Sequence, residues 1–349
     1  MKRFRTIAIW KRALIVTGLL MVAAGGVCAY SAYHKADALI KKVTKSGTVV
    51  DLLKAEALDG ESTGVVNILL AGNSADDAGH GGAQLTDSIM VASYNLDEKK
   101  LSLISVPRDL FVSYNGSYMK INAVYVHGGM DGLQAVVEQV TGLTINHRVL
   151  INYTAFKDMI DAVGGIDVDI EADDSRGIYD PMIGFSIANG VQHLTGEQAL
   201  LLARCRNDPT YDGRLAYGLS GGDFDRAENQ RKIVLSLLEK VKSSTTLTNV
   251  STLKSLIESL ADNVETNLTA GQLRRLYDLS QVVSSNNTVT IRGTEGALLL
   301  ANHTDATYGS TLIPRAGIGD YDAIRAYVAS VIAPVETNDA TTNSATATK

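Results

Sequence analysis

Residues 85–110 read LTDSIMVASYNLDEKKLSLISVPRDL. Two apolar runs, 89–94 and 101–106, flank a polar turn at 95–100, and this pattern predicts two strands that fold back on each other. Asp87 stands directly before the first strand and Arg108 directly after the second. Antiparallel pairing therefore brings a carboxylate and a guanidinium to one rim of a sheet, and strand ends are where ligand clefts form in α/β proteins. Two readings stay open on this pattern: a ligand cleft, or a structural ion pair between Asp87 and Arg108.

Working outward, residues 65–71 (VVNILLA) predict a third, buried strand. Downstream, apolar spacing predicts a helix over 131–140 stopped by Gly142, a strand over 149–152 and a helix over 153–163 ending at Gly164-Gly165. Alternation at 166–170 predicts another strand. Thr195 followed by Gln198 is the signature of a capped helix start. A long helix is expected over 225–241, further helices over 248–260, 269–279 and 321–332, and a late strand over 288–292. Strands and helices intermix, so the fold class is α/β, with a mixed central sheet sandwiched between helices.

The two ends are of another character. Lys2, Arg3, Arg5, Lys11 and Arg12 form a basic tail over 1–12, and an uncharged apolar stretch runs from 13 to 33. That length spans the hydrocarbon core as one transmembrane helix, and the basic flank places the N-terminus in the cytoplasm. The long apolar core favours a retained single-pass anchor over a cleaved signal peptide. Residues 34–61 read as a stalk, 62–334 as the folded extracytoplasmic domain, and 335–349, polar and Thr-rich, as a disordered tail. Lys plus Arg total 32 against 38 Asp plus Glu, and a net charge of -6 argues against a nucleic-acid partner. Two cysteines, Cys28 and Cys205, exclude a disulfide framework and a cysteine zinc site.

Charge also collects where core is expected. Arg204 and Arg206 follow the apolar run 199–203, at the spacing that faces one side of an extended segment. Arg226 and Gln230 are four apart, on one face of the predicted helix, with Asp223 just ahead of them. Arginines at a helix N-terminus favour a phosphate, because forked donors and helix dipole act together. Asp76 and Asp77, in the loop after the first strand, are either metal ligands or solvated loop carboxylates. His127, His147 and His193 lack the spacing of a zinc helix, and no nucleophile elbow or Walker loop occurs.

The ordered segments NILLAG (67–72), LTDSIMVAS (85–93), LISVPRDL (103–110), KINAVY (120–125), VGGIDV (163–168), LTGEQAL (194–200), ARCR (203–206) and GDFDR (222–226) resemble the LytR–CpsA–Psr family. The resemblance covers about residues 65–238. It implies a membrane-anchored phosphotransferase that moves a glycopolymer such as teichoic acid or capsule from undecaprenyl pyrophosphate to a peptidoglycan hydroxyl and releases undecaprenyl phosphate. It implies an apolar groove for the polyprenyl tail, pyrophosphate binding by Arg108, Arg204, Arg206, Arg226 and Gln230, and magnesium held by Asp87. Asp223 would activate the acceptor hydroxyl or orient an arginine. The sequence departs from the family in two places. Gly72-Asn73-Ser74 stands where a Gly-x-Asp carrying a second metal carboxylate is usual, which leaves Asp76 or Asp77 as substitutes. Asn229 and Arg231 replace the arginine and glutamine at the end of the last motif. Two further function classes remain beside the ligase: a polyprenyl-pyrophosphate hydrolase, and a non-catalytic envelope lipid-glycan binding protein. The retained arginines and Asp87 favour the ligase.

Overall fold

A computed structural model describes residues 54–77, 82–206, 215–243, 262–294 and 297–333, Leu260, and a few positions between 37 and 51. The predicted transmembrane segment, the predicted helix over 248–260 (Leu260 aside) and the tail lie outside the described residues. Among the described residues no helix is long and apolar enough to cross a membrane.

In chain order the central elements are β1 (Val65–Gly72), β2 (Ser88–Asn95), β3 (Lys100–Ser105), α1 (Val124–Thr141), β4 (His147–Ile151), α2 (Tyr153–Ala162), α3 (Gly196–Arg204), α4 (Asp223–Ser243), β5 (Val264–Thr266), α5 (Ala270–Ser280), β6 (Ser285–Thr290) and α6 (Asp322–Ile332). The six strands form one mixed sheet in the order β5-β4-β1-β2-β3-β6. β1 runs antiparallel to β2 and parallel to β4, while β3 is antiparallel to β2 and parallel to β6. Strand periodicity divides the side chains between two faces. Leu69, Ala71, Ile89, Val91 and Ile104 meet Leu133 and Val137 of α1 and Ile324 and Val328 of α6. Val66, Ile68, Met90, Ala92 and Leu103 face the other way, against Leu279 of α5 and Val234 of α4. The predicted sandwich is therefore present. A third apolar cluster, built on Ile160, Ile166, Val168, Leu202 and Ile233, joins α2, α3 and α4 into a lobe beside the sheet.

Register sets the site. Gly72 pairs with Ser88 and with Ile151, and Met90 pairs with Ser105. The exits of β1, β3 and β4 and the entrance of β2 thus share one rim, which carries Asp87 and Arg108.

Two helix starts carry reciprocal caps. Thr195 and Gln198 exchange side-chain and backbone bonds ahead of α3, as predicted, and Thr269 and Gln272 do the same ahead of α5. The helix predicted over 131–140 begins earlier, at Val124, because the chain kinks through Gly129 at φ 58°, ψ -161° and resumes. At Gly128 a Cβ would meet the Tyr114 hydroxyl, so the glycine lets that ring lie close against the helix.

His147 opens β4, fully buried, and its Nε2 accepts the Asp59 N–H at 3.0 Å. Burial lowers its pKa, with Lys45 adding to this and Asp59 opposing it. The unfolded chain then binds a proton that the folded one refuses, so this contribution to stability is present above about pH 6.5 and is lost as pH falls below it. We expect the urea midpoint to drop between pH 7 and 5.5 in the wild type and to drop less in His147→Gln. Equal slopes in the two proteins would rule this out.

Candidate active site at the sheet rim

Arg108 emerges just beyond β3, after Pro107, and its Nη1 lies 2.7 Å from Oδ1 of Asp87. Its Nε lies 3.5 Å from Asp223 and 3.6 Å from Asp109. Lys120 holds Asp109 from the far side at 2.7 Å. Burial works against the Arg108 charge, but the Asp87 and Asp223 carboxylates outweigh it and its pKa is raised. Arg226, one turn into α4, is buried; its Nη2 lies 2.8 and 3.0 Å from the two oxygens of Asp223 and donates to the Asp87 carbonyl at 3.4 Å. Burial lowers the Arg226 pKa, with Asp223 opposing and Arg108 adding to the effect. Asp223 is therefore gripped between two guanidiniums. The Asp87–Arg108 pair exists as the structural reading held, and it also lines a cavity as the functional reading held.

The cavity measures about 340 Å³. Its lining includes Arg108, Arg204, Arg206 and Arg226 with Gln230, and the apolar side chains of Ile151, Phe156, Met182, Ile183 and Leu200. Two carboxylates, Asp87 and Asp180, face the same space, so the arginines leave it with a positive excess suited to an anion. Arg204 and Arg206 converge by a route that the sequence reading did not give. Arg204 is the last residue of α3 rather than part of an extended segment. Cys205, fully buried and with ψ 133°, turns the chain so that Arg206 reaches the same cavity, its N–H donating to Asp180 at 2.9 Å. Burial pushes the Cys205 thiol pKa up strongly, which removes it as a nucleophile. Gln230 ties the site together: Nε2 donates to the Ala203 carbonyl at 3.1 Å, and Oε1 accepts from the Ser88 hydroxyl at 2.9 Å.

The loop carboxylate Asp76 caps α2. It accepts the N–H groups of Tyr153 at 3.1 Å and Thr154 at 2.7 Å, and the Thr154 hydroxyl as well. Burial opposes its charge and the Thr154 bonds outweigh that, so its pKa is lowered. Asp77 follows in the same turn, its N–H bonded to the Ser74 carbonyl. Among the described residues no group of three or more His, Cys, Asp or Glu side chains is placed to hold a metal ion. Arg231 points away from the cavity and donates from Nη1 to Ser105 at 3.0 Å and to Thr290 at 2.5 Å. Tyr153, which the sequence reading passed over, lines the cavity, and Asn122 donates to Asp87 at 3.4 Å while its carbonyl accepts the Thr86 N–H. Only the KINAVY segment signalled Asn122. Nothing in sequence signalled Tyr153, because its place depends on the fold of α2.

The LytR_cpsA_psr family profile matches residues 27–308, most of the chain. The chain belongs to the LytR–CpsA–Psr family. It is 33% identical over 266 residues to the polyisoprenyl-teichoic acid–peptidoglycan teichoic acid transferase TagU of Bacillus mycoides, covering 73% of this chain and 77% of the relative. TagV of Bacillus subtilis, which carries the same activity in its name, is 31% identical over 255 residues, covering 72% of this chain and 61% of that protein. Among solved structures, that of Bacillus subtilis TagV matches with a TM-score of 0.56 at 26% identity, over 77% of this chain and 98% of its own. TagT bound to LI-WTA shares the LytR–CpsA–Psr fold, with a TM-score of 0.59 at 19% identity over 79% of this chain and 92% of that one.

Proposed function

We propose that the protein is a phosphotransferase that moves a glycopolymer from undecaprenyl pyrophosphate to a peptidoglycan hydroxyl. The relatives are named as teichoic acid transferases acting between a polyisoprenyl carrier and peptidoglycan. The observation that carries the reading to this chain is a single cavity whose lining combines four arginines with Ile151, Phe156, Met182, Ile183 and Leu200. A diphosphate joined to a polyprenyl chain is the ligand that satisfies both kinds of lining. In the reaction the acceptor oxygen bonds to the glycan-side phosphorus and the P–O–P bridge breaks. Undecaprenyl phosphate leaves, and the hydroxyl proton departs to solvent. Such transfer depends on charge neutralisation and in-line positioning. Arg108, Arg204, Arg206 and Arg226 supply the first, and Gln230, fixed at both ends of its amide, supplies positioning. Asp223, with both oxygens on guanidiniums, orients the arginines. The uncharged stretch 13–33 anchors the chain in the membrane, with the transfer site outside.

Magnesium belongs to the proposal in a restricted form. Asp76 and Asp180 have both carboxylate oxygens on backbone N–H groups or a hydroxyl. Asp87 is left as the cavity carboxylate suited to a hard cation, one that takes its other ligands from phosphate and water. Bound there, the ion would neutralise diphosphate charge. In calorimetric titration of the full-length protein we expect no saturable magnesium binding alone, binding once farnesyl diphosphate is present, and its loss in Asp87→Asn. Tight binding without diphosphate would contradict a single-carboxylate site.

The decisive assay uses the full-length protein in vesicles with a synthetic undecaprenyl-pyrophosphate glycan and peptidoglycan fragments. Acceptor-dependent release of undecaprenyl phosphate is expected. Release without acceptor would make the protein a hydrolase, and lipid binding without release would make it a binding protein.

A further inference from the structure

The cavity arginines are held in place by different means. Arg108 is paired with Asp87 and Arg226 with Asp223. Among the described residues no carboxylate pairs with Arg204; instead its guanidinium carbon lies 5.0 Å from the centroid of the Tyr153 ring. The difference has a chemical consequence. A carboxylate partner cancels part of the charge offered to a phosphate, whereas an aromatic face orients a guanidinium and leaves its charge and in-plane N–H groups for a ligand.

Tyr153 is itself fixed from three sides. It is the first residue of α2, with its N–H on the Asp76 carboxylate. Asn152 caps the same helix by accepting the Ala155 N–H at 3.0 Å. The Ser74 side chain is hydrogen-bonded to the phenol in the sense that lowers its pKa, against the larger effect of burial, which raises it. Serine and tyrosine hydroxyls can each donate or accept, and with Ser74 as the donor the phenol proton is available to a ligand. Ser74 occupies the place where the Gly-x-Asp of the family puts a carboxylate, so a neutral Ser74–Tyr153 contact stands here in its stead.

We propose that Tyr153, held by Ser74 and the Asp76-capped start of α2, is a positioning residue that aims Arg204 at the ligand diphosphate and adds its own O–H donor to it. This rests on the diphosphate reading of the cavity.

The test is farnesyl diphosphate affinity of the full-length protein in detergent, by calorimetry, with thermal unfolding of each variant recorded alongside. Tyr153→Phe keeps the stack and loses the donor, so affinity should fall about threefold. Tyr153→Leu loses both and should bind about tenfold more weakly. In an Arg204→Leu background the stacking part should vanish, so Tyr153→Leu should cost no more than Tyr153→Phe does there. A merely structural tyrosine would cost the same in both backgrounds, and that result overturns the proposal. So would unchanged affinity in Tyr153→Leu while Arg108→Ala abolishes binding. Failure of the wild type to bind farnesyl diphosphate would overturn the diphosphate reading, and this inference with it.

Discussion

Replacing Arg226 by methionine is expected to lower transfer about a thousandfold, because it removes a preorganised cation from the point where phosphoryl charge develops. It should also lower stability by about 3 kcal/mol, since breaking a buried pair by removing one partner strands the other charge. The lower end of the usual range applies because the Asp223 side chain keeps 34% of its exposure and retains Arg108 at 3.5 Å. The two effects are separable. Adding Asp223→Asn should recover most of the lost stability and none of the transfer, which urea melts and the release assay would read independently. A single Arg226→Met variant with more than a tenth of wild-type turnover would remove Arg226 from the machinery.

Arg231, five residues further along α4, marks how far the sequence could be read. Five residues turn a helix by about 140° beyond a full turn, so a residue at that spacing leaves the Arg226–Gln230 face. Arg231 accordingly turns to the sheet and bridges Ser105 at the end of β3 and Thr290 at the end of β6. Sequence alone showed its deviation from the family motif and could not show its direction, because the seam between β3 and β6 joins segments 185 residues apart. The same limit explains the other omissions. β5 has three residues, the strands Phe111–Tyr114 and Ser117–Lys120 have four each, and Leu300–Asp305 (LANHTD), paired with Gly309–Pro314, carries few apolar residues. What did show was local: the apolar runs of β1, β2 and β3, the turn between the last two, and the Thr195 cap. The rim placement of Asp87 and Arg108 needed only those strands and their antiparallel sense. The meeting of Arg204 and Arg206 in one cavity needed the turn at Cys205, and Tyr153 needed the docking of α2. Neither leaves a pattern in the chain.

Arg108→Ala is expected to reduce transfer about as severely as the loss of Arg226, by about a thousandfold, with a smaller change in unfolding midpoint. Arg108 keeps 18% of its side-chain exposure and is surrounded by Asp87, Asp109 and Asp223, of which two keep another cation: Lys120 for Asp109 and Arg226 for Asp223. Its removal therefore strands chiefly Asp87, which faces the open cavity and can be rehydrated. If Asp87 acts as a partner of Arg108, the two substitutions will not add. Asp87→Asn alone should be costly, and Asp87→Asn in the Arg108→Ala protein should cost little more, the behaviour of residues that work as a unit. Strict additivity would mean that Asp87 contributes by a route independent of Arg108, with cation binding the leading one. Arg108→Lys sharpens the distinction. It keeps the charge and loses the fork that reaches Asp87 and Asp223 together, so it should restore affinity for farnesyl diphosphate more than it restores turnover.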